Sequence, residues 1–307
     1  MIRFIAGRLL SLVPVVLGVS FVAFLVLQLS PGDPAQLMLG ENATAEGVAQ
    51  LRREYALDQP LPIQFGAFLL AALHGDFGRS FATRTAVAPE LLRRFGNTVE
   101  LASLAFGLAL LLGVPLGIVA AVRRNSLFDH AIRLVVLVFV SVPVFWLGIL
   151  LIYLFAVTLR WLPSTGHDKL ESFVLPTLSL SAYSLAILVR MTRASMLEVL
   201  AQDYLRTARA KGLRQRVVIT RHAFKNALIP IITITGLQVG FLMTGAVLVE
   251  TVFAWPGIGR YLVDALFGRD YPVIRACIFL FSVIFLLVNL VVDLLYAVID
   301  PRIRMSG

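Results

Sequence analysis

Asp203–Pro230, DYLRTARAKGLRQRVVITRHAFKNALIP, is the stretch whose reading decides the fold. It is the one long, strongly basic segment in a chain that is otherwise mostly lipid-soluble. Arg206, Arg209, Lys211, Arg214, Arg216, Arg221 and Lys225 lie in it, with no acid after Asp203. Asp203 suits an N-cap and Gly212 suits the residue just past a helix end, so Tyr204 to Lys211 is expected to form about two helical turns. Arg209 and Lys211 fall in the last turn, where cations complement the helix dipole. Thr207, Ala208, Ala210 and Gly212 are small, so another protein surface can approach the backbone closely. A second basic helix is expected over roughly Arg214 to Asn226, with Pro230 just inside the next apolar run. A short, small-faced helix between two membrane spans is a suitable shape for docking into a groove.

The stretch resembles the signature of binding-protein-dependent ABC importer permeases: Glu-Ala-Ala, three residues, Gly, then a distant Ile-x-Leu-Pro. Here the match runs Arg206-Thr207-Ala208, Gly212 and Leu228-Ile229-Pro230, with Arg for Glu and Thr for the first Ala. The form YxRTARAKG resembles the variant of the dipeptide, oligopeptide, nickel and glutathione permeases. The resemblance implies that Arg206, Thr207, Ala208, Arg209, Ala210, Lys211, Gly212, Leu213 and Pro230 form the element coupled to a cytoplasmic ATPase. The residues alone also allow a basic amphipathic loop on anionic lipid. Membrane spans on both sides argue against a nucleic-acid partner.

The 307 residues are 59% hydrophobic and only 15% charged, well below the roughly one quarter usual in soluble domains. Lipid must cover such a surface, and the net charge of +9 then reflects topology rather than an acidic ligand. Six spans of about 20 apolar residues are expected: Leu9–Leu29, Thr98–Val122, Leu134–Thr158, Phe173–Arg190, Leu228–Val249 and Ala276–Val298. The first is too long for a cleaved signal peptide and lacks a small-residue cleavage site. Arg3 and Arg8, Arg123, Arg124 and Arg133, the basic stretch, and Arg302 with Arg304 all fall on one side. That side is expected to be cytoplasmic, with both termini inside. The expected fold is an all-α membrane protein with six transmembrane helices. It divides into 1–96, an N-terminal span plus outer segment; 97–300, a transmembrane core with a cytoplasmic loop at 191–227; and 301–307, a cytoplasmic tail.

Within the outer segment Ser30–Asn97, short helices are expected at Ala45–Tyr55, Pro62–Leu73 and Pro89–Phe95. Gly75 is expected to end the second, and Asn97 with Glu100 to form a capping box for span two. Pro31-Gly32-Asp33-Pro34, Leu57-Asp58-Gln59-Pro60 and Gly75-Asp76-Phe77-Gly78 resemble phrases of the same permeases and are also turn chemistry. Inside the membrane, Ser141, Pro143, Thr235, Gln238 and Thr244 are candidates for a translocation path. Small and proline residues there equally serve helix packing. Asn289 and Asp293 lie in span six, and Asp293 is either functional or paired near the interface. Trp255-Pro256-Gly257 with Arg260 is expected to make a tight turn into a short helix closed by Arg269-Asp270-Tyr271-Pro272. It resembles the periplasmic re-entrant gate of these permeases, while Trp255 and Tyr271 are also ordinary interface aromatics.

Other chemistries find no support. The lysines are Lys169, Lys211 and Lys225, followed by Leu170, Gly212 and Asn226, so no P-loop lysine precedes Ser or Thr. His74, His130, His167 and His222 lack ligand spacing, the single Cys277 excludes a cysteine cluster, and no GxSxG occurs. The chain is therefore expected to be no enzyme and to hold no metal or cofactor, with ATP and Mg bound by partner subunits. A self-sufficient carrier or channel would call for buried acids or a broken-helix ion site. The resemblance implies a type I importer permease in a bacterial cytoplasmic (inner) membrane. Its implied partners are the lipid bilayer, a homologous second permease, two cytoplasmic ATPase subunits and a periplasmic or lipid-anchored binding protein. Dipeptides or oligopeptides are the expected cargo, with nickel or glutathione as alternatives.

This topology makes a direct prediction. In a Cys277→Ser background and intact cells, an impermeant thiol reagent should label Thr165→Cys and not Gly212→Cys. Labelling of Gly212→Cys from outside overturns the assignment.

Overall fold

The computed structural model describes residues 14–22, 24–25, 36, 44–54 and 58–299. Among these the chain is helical, with one isolated β-bridge between Arg79 and Ala86. The helices are α1 (Ala45–Glu54), α2 (Leu61–Leu73), α3 (Val87–Val122), α4 (Leu127–Ser141), α5 (Val144–Thr158), α6 (Val174–Leu200), α7 (Asp203–Ala210), α8 (Gln215–Val252), α9 (Ile258–Phe267) and α10 (Tyr271–Ile299). Four are long and apolar enough to cross a membrane: α3, α6 with its preceding 3₁₀ turn, α8 and α10. The bent pair α4 and α5 makes a fifth if it is one span. Of the expected first span, residues 14–22, 24 and 25 are helical. Its remainder, the Pro31–Pro34 phrase, the Asp293 side chain and the 301–307 tail lie outside the described residues.

Four sequence expectations are corrected. Pro89–Phe95 is no separate helix but the start of α3, whose 36 residues extend about 54 Å at 1.5 Å per residue. That exceeds the roughly 30 Å hydrocarbon layer, so α3 carries the outer-segment helix and the span as one rod. Asn97 is thus mid-helix and caps nothing; its Nδ2 instead donates to the Pro256 carbonyl at 2.9 Å. The expected span Leu134–Thr158 is broken, with α4 and α5 meeting at 107°. Pro143 explains the break. It drives Val142 out of the helical region, to ψ 123°, and itself caps α5. The expected helix Arg214–Asn226 is not separate from span five, because α8 runs unbroken from Gln215 through a π-helical stretch, Val218–Ala223, and past Pro230.

Among the described residues the chain forms two compact units. One comprises Val99–Trp255 with the chain from Val288 on; the other comprises the chain up to Thr98 with Pro256–Leu287. In the first unit α6 is the hub, packing against α4, α5 and α8. Its buried face mixes small or hydroxylated residues, among them Ser179, Ser181, Ala182, Ser184 and Ala186, with larger apolar ones such as Leu180, Leu185, Leu188 and Val189. Ser179 donates to the Val144 carbonyl at 2.8 Å and Ser184 to Gln238 Oε1 at 3.0 Å. Helix α3 approaches through Gly113 and Gly117. A Cβ at Gly117 would lie 2.6 Å from Thr192 Cβ and 2.8 Å from the Val189 carbonyl oxygen. That spacing of two glycines four apart is the close-packing pattern of membrane helices.

In the second unit Val87, Leu91, Ile258, Ala265, Val273, Ile274 and Cys277 form the core. Cys277 is a free cysteine and is fully buried. Helices α2 and α9 end in left-handed residues, Gly75 (φ 75°) and Arg269 (φ 52°). Asp76 N–H then reaches the Ala71 carbonyl and Asp270 N–H the Ala265 carbonyl, a six-to-one closure that satisfies terminal carbonyls. The buried Asp270 carboxylate accepts from Ser80 Oγ and from the Phe81 and Ala82 N–H groups. It thereby pins the 80s loop to the start of α10.

One ionic joint in the first unit was missed in the sequence. Asp129 is fully buried and accepts from Arg193 Nε at 2.7 Å and Nη2 at 2.8 Å. It also accepts from the Asn125 N–H at 3.0 Å, while its own N–H donates to the capping Ser126 Oγ at 3.2 Å. The turn between α3 and α4 is thereby clamped to the far end of α6. Breaking one side of such a pair leaves a buried charge at a cost of about 3–5 kcal/mol. Arg193→Gln should therefore destabilise the detergent-solubilised protein by about 3 kcal/mol in thermal unfolding. The double variant Asp129→Asn with Arg193→Gln should lose less than the two singles summed. Strict additivity would show that the joint does not hold the two elements together.

Candidate functional site

Helix α7 begins at Asp203, with Gln202 at the N-cap, and ends at Ala210 with Lys211 at the C-cap. Gly212 follows at φ 77°, and its N–H closes onto the Arg209 carbonyl at 3.0 Å. This is the left-handed stop the sequence suggested. A Cβ at Gly212 would meet nothing within 4 Å, so a side chain there is opposed by backbone strain and not by a neighbour within the chain.

Leu205 and Ala208 are buried in a cluster with Ala121, Met196, Val218, Ala223, Ala227 and Ile231. They sit three apart on one face of the helix, and burying a leucine in this way is worth about 2–5 kcal/mol against alanine. Tyr204 adds a second tie, its hydroxyl accepting from Asn226 Nδ2 at 2.8 Å. Ala208 therefore faces the chain's own core. Of the small residues expected on an approachable face, Thr207, Ala210 and Gly212 are exposed, together with Arg206, Arg209, Lys211 and Leu213. The Arg206–Asp203 pair at 3.4 Å is fully at the surface and holds little. Pro230 is half-buried within α8, two turns beyond Ala223. The arrangement is a short basic helix rooted from beneath, with its polar and small side chains outward.

The membrane candidates separate. Gln238 is buried and committed to Ser184 of α6; it joins two helices within the chain. Thr235 and Thr244 hydroxyls donate back to the Ile231 and Gly240 carbonyls, at 2.8 and 3.4 Å. Thr235 is half-buried and Thr244 exposed, as are Ser141 and Pro143 at the α4–α5 break. On α8 the exposed residues Leu237, Phe241, Thr244 and Leu248 recur at helical spacing, and Phe241 stacks on Tyr183 at 4.2 Å.

The gate candidates also separate. Trp255 is fully buried, packed edge-on to His167 and Phe173 with ring centroids 4.7 Å away in each case. His167 Nε2 lies 3.4 Å from Glu100 Oε2. A left-handed Ala254 (φ 52°) places Trp255 there, its N–H bonded to the Glu250 carbonyl at 2.8 Å. In the other unit, the Pro256 carbonyl receives Asn97 and the Ile258 N–H donates to Thr98 Oγ1 at 2.9 Å. Gly257 is extended and caps α9, which is the short helix the sequence suggested. Arg260 pairs loosely with Asp264 at 3.6 Å. Burial pushes the Tyr261 phenol up to about 12, with Cys277 and Asp270 adding to it, while the Arg94 guanidinium lies 4.5 Å over its ring. Thr98 and His167 carry no motif, and the bond of Asn97 to the Pro256 carbonyl is made only by the fold.

Comparison with known proteins gives the family. Residues 113–305 match the family described as binding-protein-dependent transport system inner membrane component, and residues 1–102 its N-terminal membrane component. The glutathione transport system permease protein GsiC of Salmonella typhimurium strain LT2 is 45% identical over 304 residues, covering 99% of both chains. That of Escherichia coli K12 is 46% identical over the same length and coverage. Among solved structures, the inward-facing MetNI methionine ABC transporter matches with a TM-score of 0.57 at 17% identity, over 68% of this chain and 96% of that one. An amino acid ABC transporter with histidines matches at 0.53 and 16% identity, over 68% and 93%. These structural likenesses establish the type I importer fold, and the sequence matches establish descent. The chain is an integral inner-membrane protein of the binding-protein-dependent transport family, an ABC importer permease subunit of the dipeptide, oligopeptide and nickel type.

Proposed function

We propose that this permease carries short peptides inward, glutathione-type tripeptides among them, driven by ATPase subunits that dock on α7. The observation that carries the coupling half is the seating of α7. Leu205 and Ala208 root it in the chain while Arg206, Thr207, Arg209, Ala210 and Lys211 face outward. A helix held from beneath moves with its spans, as a two-state drive requires. The cargo half is supported by relatives named for glutathione that align along nearly the whole chain.

In this reading both termini are cytoplasmic. A binding protein delivers cargo to the outer face, where the Trp255–Arg260 turn meets it or closes the path. A second permease completes the path, with Ser141, Pro143 and Thr244 among the exposed groups of this half. Gln238 supports the path by holding α8 to α6. ATP and Mg are bound by the partner ATPases, whose closure shifts α7 and turns the path outward.

Two outcomes are expected. In the reconstituted transporter, Ala210→Glu on the outward face should abolish ATPase capture in pull-down while leaving permease pairing intact. Gly212→Val, strained by roughly 1–2 kcal/mol, should weaken capture or uncouple hydrolysis from loaded binding protein. Lys169→Ala should transport normally. Wild-type transport by both α7 variants would remove α7 as the coupling element. For cargo, a calorimetric screen of the cognate binding protein should find glutathione or di- to tetrapeptides bound. A protein that takes nickel and ignores peptides would overturn the cargo assignment and leave the coupling untouched.

A further inference from the structure

A groove of about 310 Å³ lies between α4 and α6, away from α7 and from the Trp255 turn. Its floor is apolar, with Val136 and Val189 buried and Val140 half-buried. Arg133, Arg190 and Arg193 line it as well. Arg193 is committed to Asp129 through two short bonds. Arg133 only grazes that carboxylate, at 3.9 Å, and its side chain is 49% exposed. Arg190 is exposed and makes no ion pair among the described residues. Two guanidinia are thus available beside an apolar trough. The adjoining face of α4 is strongly apolar and exposed, with Leu134 at 64% and Leu137 at 61%.

We propose that this groove holds one anionic phospholipid of the cytoplasmic leaflet. Its phosphate lies between Arg133 and Arg190, and its acyl chain lies on the Val136, Val140 and Val189 floor. The chemistry of the walls selects the occupant. An amphiphile with an anionic head and an apolar tail satisfies both parts at once, whereas an apolar partner helix would bury two guanidinia without counter-charge, which is costly. Basic pockets between transmembrane helices on the cytoplasmic side suit anionic headgroups for this reason, and a planar guanidinium takes a phosphate in a two-pronged fashion. The lipid would brace α4 against α6 beside the Asp129–Arg193 joint. The inference rests on the cytoplasmic placement of these helix ends, which the thiol labelling at positions 165 and 212 reads separately; it does not depend on the cargo.

The test uses the transporter assembled with its second permease and ATPases, examined by native mass spectrometry. Phosphatidylglycerol, phosphatidylcholine or inorganic phosphate is added in turn. One phosphatidylglycerol should be retained in preference to phosphatidylcholine, and phosphate alone should not displace it. Arg133→Gln and Arg190→Gln should each weaken retention about fivefold. Val140→Trp, which fills the floor with both arginines intact, should also weaken it. Equal retention of the two lipids, or a phosphatidylglycerol adduct that survives the double arginine variant, overturns the proposal. So does efficient cross-linking of Leu137→Cys to the second permease, which would assign the groove to protein.

Discussion

Helix α6 holds the first unit together through a buried face that sets small and hydroxyl-bearing side chains among leucines and valine. In lipid there is no hydrophobic drive to press helices together, so association depends on close packing and on hydrogen bonds between them. Ser179 reaching the Val144 carbonyl, Ser184 reaching Gln238 and Gly113 and Gly117 letting α3 approach each supply one of these. The broken pair α4–α5 depends on the same helix. Pro143 ends the helical run between α4 and α5, and Ser179 of α6 donates to the Val144 carbonyl that follows it. Gly148 of α5 is accordingly buried where a Cβ would come within 3.2 Å of Ser179 Oγ.

The far end of α6 supports the short basic helix α7 in turn. Asp129 and Arg193 fasten it to the α3–α4 turn, and Met196 joins the cluster that holds Leu205 and Ala208. Force applied to the outward face of α7 is therefore transmitted to a packed core rather than absorbed by a loop. The π-helical stretch Val218–Ala223 lies next in the chain, and Val218 and Ala223 belong to that cluster. The same residues that root α7 thus also root the start of α8.

The two ends of α8 solve different problems. At its N-terminal end it merges with the basic stretch and is held by packing. At the other it stops on Ala254, whose left-handed backbone turns Trp255 back into the first unit's core beside His167 and Phe173. A left-handed non-glycine costs roughly 1–2 kcal/mol, and the burial of an indole offsets it. That balance keeps an aromatic anchored at the turn that follows α8.

The sequence by itself determined the membrane class, the positions of most apolar helices, the short basic helix with its glycine stop, and the helix after Trp255-Pro256-Gly257. Each follows from local rules: apolar length, capping and turn chemistry, and a motif long enough to identify the family. The tertiary structure decided what those rules cannot carry. Pro89–Phe95 joined the span because nothing in Gly96-Asn97 forces a stop once Asn97 finds the Pro256 carbonyl. Leu134–Thr158 broke because Pro143 acts on Val142 in a way that apolar length does not register. Ala208 turned inward, Gln238 left the path for Ser184, and Asp129 found Arg193 64 residues away. In each case the deciding partner is distant in sequence, so its identity is set only when the helices are packed.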